Sequence, residues 1–543
     1  MKAIKLFFGF SLLLSLNTWA GVNLKNGNFY ISYTDIIVPG SGETLEITRT
    51  YNSKSTLTDG WFGFGWGSIY ETKVAVGSDG SVTVLEHGSG SATRFTPKTP
   101  IDGAVAATKI IDAMRAKNTL SDTVVKDLTK KLSQDQELRQ LYATKYGVVS
   151  SIAAGTVLYS SKRGLQEIHK TKNGYKRISG DGKVEEFSDE GNLTKITYKN
   201  GYEVTFNYKG NTLASIKDSK AKQLFFEWYS EGKVKSISSG SDKKAEYKYK
   251  GNDLVQSKDV GGNTYTFSYD SNHNLLEVGY SDKTAMKISY EPKTQFVSSI
   301  TNRNNEATNY EYGSDPKNPD LHYWTTVSKK NLLGKLAKSR YEYEIRTRAD
   351  GSQYTYKILT DINGDKTETL YSECCGLPLK IARGKQVTNF EYNDKGLLKS
   401  KTSTEGENVS LEYNDKFNKI SKVKDRNGWT SFKYDKKGNL EEAVNSKGKQ
   451  VLLIYDSKGR ITKMVDAEKG SKDKRTLSFI YDANGKPVEI AIDKLGKINI
   501  AYDDFGEIKK VDSKSGHKMA VEVTQAFQNL LAIVRPAGVS LSL

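Results

Sequence analysis

Five histidines, two cysteines and a surplus of carboxylates are the side chains from which this 543-residue chain would have to build a reactive centre. The histidines stand at 87, 169, 273, 322 and 517, with no His-x-x-x-His or His–Glu pairing, so their spacing offers no zinc set. No Gly-x-Ser-x-Gly elbow and no Gly-x-x-x-x-Gly-Lys loop occurs, which removes the common serine-nucleophile and phosphate-cradle signatures. Trp61-Phe62-Gly63-Phe64-Gly65-Trp66-Gly67 has Gly-x-Gly-x-Gly spacing but no helix opening and no later acidic partner; close packing of backbone against rings is the better reading. A pair of carboxylates hydrolysing a glycoside is the acid–base chemistry left open. Cys374 and Cys375 are adjacent, and neighbouring cysteines cannot form an ordinary bridge. A strained vicinal ring, bonds to another chain and two free, reactive thiols are the alternatives. The expectation is a non-enzymatic protein with no catalytic, cofactor or metal residues.

The elements that would position these side chains follow from a repeat. Tyr392, Tyr413, Tyr434 and Tyr455 are each 21 residues apart, and Phe187, Tyr208, Tyr229, Tyr249, Tyr269, Tyr290 and Tyr312 run upstream at steps of 20 to 22. A period of that size means stacked units, because one unit cannot bury its own apolar face. In Tyr434-Asp435-Lys436-Lys437-Gly438-Asn439-Leu440 the tyrosine ends a strand. Asp then bonds nearby backbone, Gly accepts the positive φ of a tight reversal, and Leu opens the next strand. Gly396 closes the turn after Tyr392, and Tyr455/Gly459, Tyr481/Gly485 and Tyr502/Gly506 repeat the grammar. Second turns at Asn427-Gly428, Lys447-Gly448 and Leu495-Gly496 divide each unit into two strands, so the chain reads as hairpins joined end to end.

Alternate residues of a strand face opposite sides, so Tyr247/Tyr249, Tyr265/Phe267/Tyr269, Tyr310/Tyr312 and Phe390/Tyr392 place their rings on one surface. With 32 Tyr to 19 Phe that surface is amphipathic, which suits a hollow shell better than a solid sandwich. The mean hydropathy of -0.59 agrees.

These phrases resemble those of the RHS or YD-repeat family, Tyr-Asp-x-x-Gly-Arg/Asn-Leu; Tyr455 to Ile461 and Tyr434 to Leu440 match closely, and the resemblance covers roughly 181 to 511. It implies a spiralling β-sheet that closes as a cocoon, as in teneurins and bacterial toxin carriers. Tyr208, Tyr229 and Tyr249 lack the Asp, His273 stands where Gly is expected, and 313 to 370 loses the phrase. The self-cleaving Asp-Pro-x-Gly-Leu phrase that precedes a variable toxin in longer members is missing.

The expected fold is all-β: a YD-repeat shell over 181–511 behind an N-terminal β domain over 21–180 with a helical insertion near 101–146. Thr48 to Ser53 and Gly63 to Gly67 resemble the domain that commonly opens RHS proteins. In the insertion Ile110, Met114, Val124, Val125, Leu128 and Leu132 share one helical face, and Ser133-x-x-Gln136 reads as a capping box. The tail, 512–543, is apolar from Val521 to Val534 and suits a cap or plug for an open end of the shell. Residues 1–20 read as a cleaved signal peptide: Lys2 and Lys5, an apolar run from Leu6 to Leu16, then small residues before Gly21. No later stretch reaches the ~20 apolar residues of a membrane helix.

The net charge of +17 comes mostly from lysine, only 15 of 81 basic residues being Arg. Diffuse lysine argues for solubility rather than base reading, which makes nucleic acid an unlikely partner, though anionic envelope polymers would be attracted. The leading expectation is an exported interaction protein of the periplasm, cell surface or medium, binding or enclosing envelope polysaccharide or a partner polypeptide. The resemblance adds carbohydrate binding or contact between cells. The alternatives are a carrier component of a toxin-delivery or contact-dependent competition system, and an envelope polysaccharide hydrolase.

Overall fold

The computed structural model describes residues 19–38, 44–55, 60–98, 102–160, 166–180, 182–199, 201–240, 244–330, 334–348, 352–373, 376–468, 474–482, 485–502 and 508–534. The fold is mostly β. An antiparallel sheet of 33 strands, from Val157–Ser160 to Ile508–Ser513, curls into a barrel in which each strand pairs with the next in sequence. Sequential pairing follows from the short turns, since two- to five-residue connections can only join antiparallel neighbours. In most repeats the register slips just before the anchor ring, as between Lys433 and Tyr434 or Ile454 and Tyr455. Such a bulge bends the strand and increases local twist, which curls a long sheet on itself.

Two small sheets precede it. The first holds β1 (Trp19–Asn23), β2 (Asn28–Val38), β3 (Leu45–Asn52) and β4 (Trp66–Ser68); the second holds β5 (Lys73–Val76), β6 (Val82–Glu86) and β7 (Ser91–Phe95). Their apolar faces merge with one side of the long sheet in a core running from Phe29 to Val297.

Three helices follow: α1 (Gly103–Arg115), α2 (Asp122–Gln134) and α3 (Gln136–Tyr146). They pack on one another around Ile110, Met114, Leu132 and Ala143, a core separate from that of the sheet. Two readings need correction here. Val124 is 44% exposed rather than on the buried face. The cap of α3 is Asp135, whose carboxylate accepts from the backbone N–H of Glu137 and Leu138, while Ser133 donates to the Lys130 carbonyl. Ser133 is still inside α2, so its hydroxyl serves the preceding turn.

The last described element, α4 (Gly516–Val534), lies on the sheet near its C-terminal end, where Met519, Ala526, Leu530 and Ile533 are buried against Met464, Leu477 and Leu453. No helix of the described residues is long and apolar enough to cross a membrane. Residues 1–18, most of the expected signal peptide, lie outside the described residues.

Candidate functional site

The repeat explains its own residues. The hydroxyls of Tyr269, Tyr290, Tyr392, Tyr413, Tyr434, Tyr455, Tyr481 and Tyr502 donate to the carbonyls of Leu254, Leu275, Pro378, Leu398, Ile420, Leu440, Ile461 and Pro487 at 2.6–3.1 Å. Each acceptor is the residue paired with the previous anchor ring, so every ring fastens its hairpin to the one before. Burial pushes the Tyr434 and Tyr455 phenols up to about 12, which keeps them protonated donors. The turn is clamped by its carboxylate: Asp435 accepts from the N–H groups of Lys437 and Asn439 and from the Asn439 side chain, all at 2.8–2.9 Å. Gly396, Gly438, Gly459 and Gly485 sit at φ of 75, 82, 77 and 85°. His273 takes the same left-handed place at φ 63°, with its ring stacked on Phe64 at 4.6 Å and bonded to Asp253. Gly506, Cys374 and Cys375 lie outside the described residues.

One anchor is corrected. Trp228, not Tyr229, pairs with Val234 across the bulge, and its indole N–H donates to the Leu213 carbonyl at 2.7 Å. Tyr229, one residue past that strand, sets its ring edge-on to Tyr249 at 6.1 Å and donates to the Tyr247 carbonyl at 3.2 Å. An indole N–H does what a phenol does elsewhere, and the tyrosine beside it carried the period past the true anchor.

The face bearing the anchor rings is the inner wall, and two parts of the chain cover it. The N-terminal sheets lie against strands from Gly191 to Thr355. Backbone bonds join Val74 N to Gly191 O, Phe64 N to Asn252 O, Val260 N to Asp35 O and Val297 N to Gly27 O. At the centre Arg49, fully buried, donates through Nε to Asp35 at 2.7 Å and through Nη2 to Ser257 at 2.5 Å, with its guanidinium 4.5 Å from the Trp66 ring. Tyr247 donates to the same Asp35 oxygen. Burial pushes the Asp35 carboxyl up, with Arg49 opposing it. The glycines of 61–67 serve this contact, since a Cβ on Gly63 would stand 2.4 Å from the Asn252 carbonyl oxygen. At the other end α4 covers the wall. Its Asn529 donates to Asp466 at 2.9 Å, and Arg475, across the strand pair from Asp466, reaches Glu522 at 3.0 Å.

Past the main N-terminal contact the wall changes character, although Leu24 O still accepts from Thr325 at 2.6 Å and Lys25 lies 5.6 Å from the Tyr343 ring. From Val297 to Val409, Tyr343 is the only buried apolar side chain among the described residues. The cross-strand rows are Tyr312, Thr325, Tyr341, Thr360, Thr367 and, beside it, Tyr323, Tyr343, Ile358, Thr369, Ile381, Thr388. Rings and isoleucines mixed with hydroxyls give a half-wet surface that offers apolar contact and hydrogen bonds together. The strands here are also long, at His322–Lys330, Leu336–Thr347 and Gln353–Ile362, where the repeat phrase disappears. On the outer face His322 sits between Asp315 at 3.5 Å and Glu342 at 2.7 Å, which raises its pKa. Among the described residues no three His, Cys, Asp or Glu side chains form a metal-holding group. What this arrangement offers chemically is holding, through rings, hydroxyls and backbone.

Residues 20–95 match the family model described as "Domain of unknown function (DUF6531)", a domain found at the start of RHS/YD-repeat proteins. No curated protein matches the chain. Among solved structures, the chain is similar to one described as "Crystal Structure of TcdB2-TccC3-Cdc42", at 10% identity and TM-score 0.37, with 89% of this chain and 29% of that chain covered. Another is "Crystal Structure of TcdB2-TccC3 without hypervariable C-terminal region", at 11% identity and TM-score 0.37, with 90% and 30% covered. A third is the Photorhabdus luminescens Tc holotoxin pore, at 11% identity and TM-score 0.36, with 89% and 29% covered. The chain spans less than a third of the length of these structures.

Proposed function

We propose that this chain is an exported, non-enzymatic shell protein whose uncovered inner wall encloses a partner polypeptide, in the setting of toxin delivery or contact-dependent competition. The observation that carries the reading is the stretch of wall between the N-terminal sheets and α4. It is lined by Tyr, Thr and Ile, and the N-terminal segment reaches only its near edge, where Leu24 O accepts from Thr325 and Lys25 lies over the Tyr343 ring. A polypeptide is favoured over a glycan because the same face already accepts polypeptide, both as strand edges and turns of the N-terminal sheets and as α4. Export rests on the basic, apolar and small-residue order of residues 1–20.

The test is to refold the purified chain from urea in the presence of fluorescein-labelled, reduced and carboxymethylated α-lactalbumin, a permanently unfolded polypeptide, and then to add protease. Enclosure gives a labelled fraction that survives until the shell is denatured. Digestion of all label at the rate of the free polypeptide contradicts the reading. Fractionation of cells making the tagged full-length chain, with added protease, tests export: the expected result is recovery outside the cytoplasm.

A further inference from the structure

The residue opposite an anchor ring is the first or second of its strand, and in several repeats its backbone N–H is not part of the ladder. Two observations establish this. Proline, which has no N–H, occupies the position in two repeats with the register intact, Tyr371 pairing with Pro378 and Tyr481 with Pro487. Where the N-terminal sheets lie alongside, the N–H bonds to them instead of to a neighbouring strand. Val234 N donates to Trp61 O at 2.8 Å and Val297 N to Gly27 O at 3.1 Å. Leu275 N donates to the Tyr51 hydroxyl at 3.0 Å. The carbonyl of the same residue is taken by the next anchor: Tyr249 on Val234, Tyr290 on Leu275 and Tyr312 on Val297. Repeats built like those of Val234, Leu275 and Val297 therefore turn one N–H, beside a ring, off the inner face of the sheet.

The register recurs at Leu398 and Ile420, which pair with Tyr392 and Tyr413 across the same slip. Both are half-buried members of the second core, a cluster that contains no residue of the N-terminal sheets. Successive hairpins put such donors roughly 10 Å apart, two strand spacings.

We infer that the N–H groups of Leu398 and Ile420 are docking donors for backbone carbonyls of the enclosed polypeptide, used as the chain already uses Val234 and Val297 on its own N-terminal sheets. This rests on the proposed enclosure and adds its chemistry. Recognition runs through the peptide group that every polypeptide carries, with the anchor rings giving apolar contact on either side, so the wall holds a chain without reading its side chains. Leaving a buried amide donor unpaired is costly, which makes a carbonyl a favourable occupant.

Proline supplies the test, because the fold accepts it at the equivalent positions. The double variant Leu398→Pro/Ile420→Pro, in the full chain, keeps its circular dichroism and urea midpoint close to those of the parent and retains the labelled unfolded polypeptide roughly tenfold less well, the loss of two hydrogen bonds. Leu398→Ala/Ile420→Ala, which keeps both donors, retains it within about twofold of the parent. Should the proline variant misfold, hydrogen exchange on the unaltered chain decides: the amides of Leu398 and Ile420 exchange more slowly once the polypeptide is enclosed. Equal retention by the proline variant, or unchanged exchange at both amides with polypeptide enclosed, overturns the inference and leaves enclosure standing. Failure of the parent chain to protect the polypeptide removes the enclosure reading itself.

Discussion

Trp228 and Tyr229 are neighbours with opposite duties, and the difference is one hydrogen bond on the inner wall. Trp228→Phe removes the donor that satisfies Leu213 O and one ring of the edge-on contact with Trp61 at 5.9 Å. The expected loss in a urea titration is about 1–3 kcal/mol. Tyr229→Phe removes a longer bond at a partly exposed site and is expected to cost under about 0.5 kcal/mol. Equal costs would contradict the assignment of Trp228 as anchor. The turn carboxylates give a pH prediction. Burial raises Asp435, but the Asn439 side chain and the N–H groups around it hold it below the usual carboxylate range; Asp456 is held low against burial by Arg460 and the Lys458 N–H. A depressed folded pKa adds stability that is present above the unfolded value, about 3.9, and is lost as pH falls through the folded one. Acid unfolding below about pH 4 should therefore flatten in Asp435→Asn/Asp456→Asn. An unchanged acid limb in unfolding curves would exclude these turns as its source.

At the scale of elements, the hairpins were legible because Tyr, Asp and Gly have separate and unavoidable jobs in each: ring donor, turn clamp and left-handed backbone. Of the three long strands from His322 to Ile362 only pieces, Tyr341 to Ile345 and Tyr354 to Ile358, were legible, since their partners are fixed by length and register rather than by a turn phrase. The helical insertion announced itself by period, but its cap was misplaced because Ser133 and Asp135 both precede acceptable helix starts. The helices keep their own core and the flanking strands are bridged at Thr96 and Tyr159, so replacing residues 103–146 with a short Gly-Ser linker should leave the thermal midpoint of the sheet within a few degrees. A large fall would mean that the helices brace the shell. The tail read as a cap without showing which face it would use. Leu530, 5% exposed against the wall, should cost about 2–5 kcal/mol on truncation to Ala, whereas Phe527, 37% exposed, should cost under about 1 kcal/mol. Reversed values would turn α4 over.

At the scale of the molecule, apolar wall is covered by the chain itself and amphipathic wall is left open. The Arg49, Asp35, Tyr247 and Ser257 cluster fixes where the N-terminal sheets sit, because shifting them would strand a buried charge, typically at a cost of about 3–5 kcal/mol. None of this was visible in the sequence, where Asp35 and Arg49 stand 14 residues apart, and Ser257 another 208 residues on. The central claim is that the uncovered stretch of inner wall is where a partner chain resides. The most direct measurement replaces Tyr371 or Tyr392 on that wall, and Trp429 on the opposite face, by p-benzoylphenylalanine, refolds each variant with the labelled unfolded polypeptide and irradiates. The account predicts cross-links from positions 371 and 392 and background labelling from 429; equal labelling from all three, or labelling from 429 alone, would contradict it.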